Sequence, residues 1–282
     1  MKKWCLITAL VGVGLIAATI TPPRSTLFFT QSSPPNAQLL RLMGRSHLSL
    51  IADLFWIRAI GVTINLKVPA DGLALVLACG LVTELDPHFV WPYLLGGLLS
   101  PMSSAAGYHN VAEANALMRK GMDEIPDDHR LPLYLSFNQL HLDHDVRAAA
   151  ETLRLGARNP HAPAFMGQLA SRLLAQSENF DAATEVADEM ERNSSNAEDR
   201  ALFAHRRLEI ERDRRLSRLQ KAVDQFRAAR GQPPSTLMQL LSEGFVTEIP
   251  PDPLGGEFQL TEGTVVAPSG ARLTAFFQPE DL

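Results

Sequence analysis

HNVAEANALMRKGMDEIP, residues 109–126, returns twice in modified form along the chain, and this recurrence decides the fold. The later copies are HDVRAAAETLRLGARNP (144–160) and ENFDAATEVADEMERNS (178–194). Each copy has Asn or Asp, then an apolar residue, then an alanine three residues further on. These alanines, Ala114, Ala149 and Ala183, are spaced 35 and 34 residues apart, so the chain has an internal repeat.

Each part of the pattern has a physical role in a pair of helices. The Asn or Asp is predicted to cap the second helix of the pair by accepting a backbone N–H on its side-chain oxygen. The alanine lets two helices approach closely, and a further small residue, Gly121 or Gly156, follows seven residues later in the first two copies. Pro126 and Pro160 end the first two units, because proline cannot donate within a continuing helix. Such a hairpin leaves one apolar face bare and therefore stacks on its neighbour.

These features resemble tetratricopeptide repeats, over about 125 residues from roughly residue 70 to residue 195. The resemblance implies a mainly α fold, a right-handed α-solenoid of stacked helical hairpins. LVLACGLVTELDP (75–87) resembles the second helix of an earlier, degenerate repeat, and FVWPYLLGGLLS (89–100) the first helix of the next. The third copy departs from the pattern, with Met190 at the small position and Ser194 in place of proline. SPMSSAAGY (100–108) is an insertion before the first copy.

The beginning of the sequence predicts a membrane anchor over residues 1–22. Two lysines precede an apolar run from Trp4 to Ile20, which as a helix would rise about 26 Å, close to the ~30 Å hydrocarbon core. The lysines should stay in the cytoplasm, so the bulk would face the periplasm from a single-pass position in a bacterial inner membrane. The alternative is a signal peptide removed after Ala18, which would leave a free periplasmic protein. Two cysteines give no disulfide framework.

Residues 23–36 are rich in proline and serine and are predicted to be a linker, and residues 37–195 to be the helical repeats. The first part of that region, residues 37–68, has apolar residues near helical spacing. His47, Asp53 and Arg58 interrupt it. They would form an internal ion pair or face a partner, or lie on the solvated side of the helix.

Residues 196–231 predict one long charged helix with a single apolar seam. Between residues 200 and 230 it has ten Lys or Arg against four Asp or Glu. This is either a solvated face laced with opposite charges or a contact for acidic lipid headgroups or an acidic partner. The whole chain has a net charge of −5, which argues against nucleic acid as a partner.

Residues 232–282 predict a small α+β module: a short helix, a turn and a β-hairpin. From about residue 216 to residue 270 the sequence resembles the C-terminal part of type II secretion pseudopilins, whose DPWG turn is matched by Asp252, Pro253, Leu254 and Gly255, followed by Gly256. MKKWCLITAL lacks the processed N-terminal glycine–glutamate signature of that family. The module is therefore predicted to cap the last repeat, and the alternative is docking to a pilus-like or secretion assembly.

The histidine-rich stretch HLDHD (141–145) is the candidate for metal chemistry. His141 and His144 could share one face, but no Cys or further His stands at ligand spacing. The sequence has no phosphate-binding loop, HExxH or nucleophile-elbow motif. Neither a metal nor a cofactor is predicted.

We therefore predict a non-enzymatic, membrane-anchored periplasmic scaffold or adaptor that binds protein partners in the cell envelope, in a secretion, pilus or envelope assembly. Stacked hairpins form a groove lined by their first helices. Its predicted partner contacts are Tyr93, Leu133, Phe137, Asn138 and His141. The alternative is an envelope metal-dependent hydrolase that uses His141 and His144.

Overall fold

The computed structural model describes residues 34–64 and 66–273, so the predicted anchor (1–22) and most of the linker lie outside the described residues. The described chain is mainly helical, with eleven α-helices and a small antiparallel sheet near its C-terminal end, which confirms the predicted fold class at this level. Among these residues, no helix is both long and apolar enough to cross a membrane. The chain divides into two compact units, the first ending at Pro126 and the second beginning at Asp127.

The described residues of the first unit, 34–64 and 66–126, form five α-helices and one two-stranded hairpin. In chain order they are α1 (Ala37–Gly44), α2 (Leu48–Thr63), α3 (Pro69–Leu85), α4 (Val90–Leu99), β1 (Met102–Ser104), β2 (Gly107–His109) and α5 (Val111–Glu124), with a 3₁₀ turn (Arg45–His47) between α1 and α2. Helix α3 is central, because α1, α2, α4 and α5 all pack against it. Its N-terminus is fixed by Pro69 at the first position and by Asp71, which accepts the N–H groups of Lys67 and Val68, both at 3.0 Å.

The inserted segment before α5 forms the hairpin β1–β2, which pairs Met102 with His109 and Ser104 with Gly107. Next to it, Asn110 immediately precedes α5, has a positive φ of 63° and makes no side-chain cap. Its Nδ2 instead donates to the carbonyl oxygens of Pro69 at 2.8 Å and Ser100 at 3.3 Å. The prediction that Asn110 caps its helix is wrong, because its side chain instead bonds the carbonyl oxygens of Pro69 and Ser100.

In the second unit, residues 127–273 are described and form six α-helices and a hairpin near their C-terminal end. They are α6 (Arg130–His141), α7 (Val146–Ala157), α8 (Phe165–Gln176), α9 (Phe180–Asn193), α10 (Ala197–Arg230), α11 (Leu237–Ser242), β3 (Gln259–Thr261) and β4 (Thr264–Val266). From α6 to α10 each helix packs against the next in sequence. Capping is confirmed here, since Asp145 accepts the N–H of Ala148 at 2.9 Å and Asn179 that of Ala182 at 3.4 Å.

The predicted long helix is confirmed as α10. Asn196 caps its start by accepting the N–H of Asp199 at 2.7 Å, and Gly231 ends it with a φ of 77°. The predicted seam is buried in a core with α11 and the hairpin, formed by Leu216, Leu219, Val223 and Phe226. The hairpin turn consists of Glu262 and Gly263, both at positive φ, as a two-residue type I′ turn requires.

Candidate partner-binding surface

The repeat positions lie in equivalent local surroundings within their helices. Ala114, Ala149 and Ala183 are each the fourth residue of a helix and are fully buried. The N–H of each donates at 3.0 Å to the carbonyl oxygen of the residue that precedes the helix. Gly121 and Gly156 are buried as well, and a Cβ built on Gly156 would lie 2.6 Å from Cγ of Pro132. A small residue is therefore needed at position 156 for close helix packing.

One side of helix α6 is buried in the second unit, and the other side is exposed. Its buried side includes Leu131, Pro132 and Leu135, and Pro132 contacts α7 at Gly156. Its N-terminus is held by Asp128, whose Oδ1 accepts the backbone N–H of Arg130 at 3.0 Å and its Nε at 2.9 Å. The hydrogen bond from the Arg130 side chain holds the pKa of the Asp128 carboxyl below its usual value.

The exposed side of α6 presents an aromatic stripe formed by Tyr134, Phe137 and His141. These residues stand at positions i, i+3 and i+7, so they share one face of the helix. Phe137 is 52% exposed, and its ring centroid lies 4.5 Å from that of His141. Exposed aromatic side chains on a fixed helix are well suited to contacts with a partner, because they bury a large area at little cost in side-chain entropy.

The predicted partner contacts fall into three groups. Phe137 and His141 belong to the aromatic stripe, and Leu133 is half-buried against the core of the second unit. Tyr93 and Asn138 are buried, so their side chains are not part of the exposed surface. The hydroxyl of Tyr93 donates to the carbonyl oxygen of Pro87 at 3.0 Å, and burial raises the pKa of Tyr93 to about 12.

Sequence reasoning missed Tyr134. It stands three residues before Phe137 and is exposed on the same face. Counting one helical turn back from Phe137 would have found it.

The histidines of the HLDHD stretch are placed by the turn between α6 and α7. His141 packs on Phe137, and His144 lies in the turn with a φ of 54°, immediately before the capping residue Asp145. Throughout residues 34–64 and 66–273, no three His, Cys, Asp or Glu side chains are grouped so that they could hold a metal ion. No ligand set for the alternative metal-dependent enzyme is present in that part of the chain.

The basic charge of α10 is matched by acidic side chains, mostly on α9. Arg207 lies 3.3 Å from Asp188, and Arg214 lies 2.8 Å from Asp181. Lys221 lies 2.6 Å from Glu178, which stands just before α9. These ion pairs favour the first interpretation of α10, a solvated face on which opposite charges are paired. They argue against the second, a contact for an acidic partner.

The C-terminal turn has a structural role. The backbone N–H of Asp252 donates to Gly256 at 3.0 Å, and its carboxylate accepts the N–H of Leu254 at 2.8 Å and the hydroxyl of Ser269 at 2.5 Å. Gly255 and Gly256 adopt φ values of 112° and 88° next to Pro253–Leu254, which glycine tolerates best. Arg215 joins the turn to α10 by donating to the carbonyl oxygen of Pro251 at 2.8 Å.

Comparison with known proteins gave no relative from which a function could be transferred. No protein-family model, curated protein or solved structure matches the chain.

Proposed function

We propose that this protein is a non-enzymatic scaffold, anchored in the bacterial inner membrane and facing the periplasm, that binds a protein partner through the aromatic stripe of α6. The observation that carries the proposal is the stripe itself: Tyr134 and Phe137 are exposed on a helix whose other side is fixed in a core. Aromatic residues are the side chains most enriched at the energetic centres of protein interfaces. The partner would belong to a secretion, pilus or envelope assembly.

The finer architecture that we propose is a right-handed solenoid of tetratricopeptide-like hairpins. It is supported by the recurrence of the same cap geometry at Asp145 and Asn179, 34 residues apart. The sequential packing of α6 to α10 also supports it. A solenoid repeats its first helices along one surface, and α6 would contribute its stripe to that surface.

The pseudopilin-like module is proposed to cap this array. The hairpin packs on the C-terminal half of α10, where Gln220 accepts the N–H of Val265 at 2.8 Å and donates to the carbonyl oxygen of Gly263 at 3.3 Å. These contacts cover the seam that α10 would otherwise expose. A terminal cap of this kind prevents a repeat array from continuing or aggregating.

Co-purification from detergent-solubilised envelopes tests the proposal, with the full chain as bait. One defined partner should be recovered with the wild type and lost with Phe137→Ala. Leu155→Ala is the matched control, because Leu155 is an exposed apolar residue on α7 and lies outside the stripe. With the purified partner, Phe137→Ala should weaken binding at least about tenfold, or ~1.4 kcal/mol. Equal binding by both variants and the wild type would refute the role of the stripe.

The proposed location is tested separately by intact mass of the mature protein. A mass that includes residues 1–18 supports the anchor. A mass that lacks them identifies a free periplasmic adaptor instead and leaves the partner-binding proposal in place.

A further inference from the structure

Two adjacent charged residues of α10, Arg212 and Asp213, form a buried pair that holds the last described residues of the chain. Nη2 of Arg212 donates to Oδ1 of Asp213 at 2.9 Å, and both side chains are 3% exposed. The same guanidinium donates to the carbonyl oxygen of Ala271 at 2.7 Å, and Oδ2 of Asp213 accepts the N–H of Leu273 at 2.7 Å. A buried charge pair is costly unless its remaining polar atoms find partners, and here the backbone of the segment supplies them.

This pair recognises a peptide through its backbone. It bonds the C=O group of one residue and the N–H group of the residue two positions later. Because backbone groups are common to all residues, Arg212 and Asp213 place no condition on the side chains of the segment they hold. That condition comes from Leu273, which is 7% exposed and packs in the buried cluster formed by α7 to α10. Main-chain hydrogen bonds combined with a side-chain pocket are a common mode of peptide recognition.

A cavity borders the segment beside this pair. Its volume is about 370 Å³, and its lining includes Leu216 of α10, Val265 of β4, and Gly270 and Ala271 of the segment. Cavities of this size with apolar linings are typical of ligand sites. Since Ala271 has only a methyl group, a larger apolar side chain at its position would bury more surface in the cavity.

The segment reaches α10 by a short exposed connection. Residues 268–271 are exposed, and Gly270 has a φ of 131°. Ser269 is held by its hydrogen bond to Asp252, so the part that crosses to α10 is residues 270–273. These four residues can therefore leave α10 while the turn and the hairpin β3–β4 keep their contacts.

We propose that the Arg212–Asp213 pair, the pocket of Leu273 and the adjoining cavity form a peptide-binding site, which we call the α10 site. Residues 270–273 occupy it, and a segment of a protein partner displaces them. That segment has large aliphatic residues at the positions of Ala271 and Leu273. Its first aliphatic residue fills the cavity, which offsets the advantage that the chain's own segment has from being tethered. The α10 site is separate from the aromatic stripe and needs no membrane anchor.

Binding of synthetic peptides to the full chain tests this proposal. The reference peptide has residues 266–273 of the sequence, an N-terminal fluorophore and an amidated C-terminus, and its fluorescence anisotropy reports binding. The leucine peptide is the same with Ala271→Leu. In the protein, Leu273→Ala weakens the hold of the chain's own segment. Met238→Ala is the matched control, because Met238 is 63% exposed on α11 and lies outside the α10 site.

The leucine peptide should bind the wild-type chain at least about fivefold more tightly than the reference peptide, because it buries additional methylene groups. Leu273→Ala in the protein should tighten the binding of both peptides at least about tenfold, because the tethered competitor is weakened. Met238→Ala should leave both affinities unchanged. Phe137→Ala should leave them unchanged as well, so a failure of the aromatic stripe is distinguished from a failure of the α10 site.

A leucine peptide methylated on the backbone nitrogen of Leu273 lacks the N–H that Asp213 accepts. It should bind at least about tenfold more weakly than the unmethylated leucine peptide. This comparison leaves the protein unaltered, so it decides the proposal even where Leu273→Ala impairs folding. Equal binding of the methylated and unmethylated peptides overturns the proposal, and so does the absence of binding to every variant. Equal affinity of the wild type and a folded Leu273→Ala protein places the peptide elsewhere and also overturns it.

Discussion

Met190 of α9 packs directly against Gly167 of α8: a Cβ built on Gly167 would lie 2.7 Å from Cγ of Met190 and 3.2 Å from Cζ of Phe203. One repeat earlier the sizes are reversed, because Gly156 of α7 lies against Met166 of α8, with 2.7 Å from its hypothetical Cβ to Cε of Met166. Helix α8 thus places the large Met166 against the small Gly156 of α7. It places Gly167, which has no side chain, against the large Met190 of α9. The departure of Met190 from the repeat pattern is compensated by Gly167.

Gly167→Ala should destabilise the second unit. The added methyl group must displace Met190 and approach Phe203, and overpacking of this kind costs about 1–3 kcal/mol, which outweighs the roughly 1 kcal/mol gained by alanine in a helix. We expect the free energy of unfolding in urea to fall by about 1 kcal/mol, and Met190→Ala in the same chain to reduce the penalty of the methyl group.

Gly80→Ala is the control for this substitution. Gly80 is also helical, but a Cβ built there meets no atom within 4 Å. Alanine at position 80 should be neutral or stabilising. A Gly167→Ala protein that is as stable as the wild type would contradict the size matching between α8 and α9.

Asp252→Ala should destabilise the C-terminal module, because the carboxylate is buried and satisfies both Leu254 and Ser269. Its removal leaves these two donors without their acceptor, at a cost of about 2 kcal/mol. Urea unfolding measures the loss. Asp224→Ala is the control, since Asp224 is exposed on α10 and should change stability by less than about 0.5 kcal/mol. Equal effects of the two substitutions would show that the turn carries no particular stability.

The sequence predicted those helix ends and turns that depend only on neighbouring residues. The bounds of α10 follow from the cap at Asn196 and the left-handed Gly231, and the β3–β4 turn follows from Glu262–Gly263. These features depend on a few neighbouring residues, so a single sequence is enough to find them.

The burial or exposure of individual side chains was not predicted where it depends on packing between distant parts of the chain. Tyr93 and Asn138 are buried because of how their helices rotate against neighbours, and a helical pattern alone does not give that rotation. Ile57 and Ile60 of α2 are exposed, which the sequence did not predict either. The helical spacing of Ile57 and Ile60 was visible, but it indicates a helix face and does not say whether that face is covered.

Cys79 should resist thiol reagents in the folded protein. It is fully buried against Gly96, and burial raises the pKa of its thiol to about 12 from 9.0. Since the thiolate is the reacting species, modification at pH 8 should be at least about a hundredfold slower than in urea. The measurement follows a chromogenic disulfide reagent on Cys5→Ala, with Glu84→Cys added as an exposed reference. Equal rates at the two positions would place Cys79 at the surface.

The pair of Asp128 and Arg130 should give a pH-dependent contribution to stability. The hydrogen bond from Arg130 lowers the pKa of Asp128 in the folded state. A lowered pKa stabilises the fold above the unfolded-state pKa, near 4, and this contribution is lost as pH falls through the folded-state pKa. Because Arg130 is 39% exposed, we expect Arg130→Gln to cost less than about 1 kcal/mol at pH 7.

As the pH falls through the folded-state pKa of Asp128, the difference in stability between wild type and Arg130→Gln should shrink. Urea unfolding at pH 7 and pH 2 measures it, and NMR titration should find the pKa of Asp128 higher in the variant. Arg192→Gln is the control, because Arg192 is exposed on α9 and should alter stability equally little at both pH values. A difference for Arg130→Gln that is the same at pH 2 and pH 7 would show that Arg130 acts through packing and not through its charge.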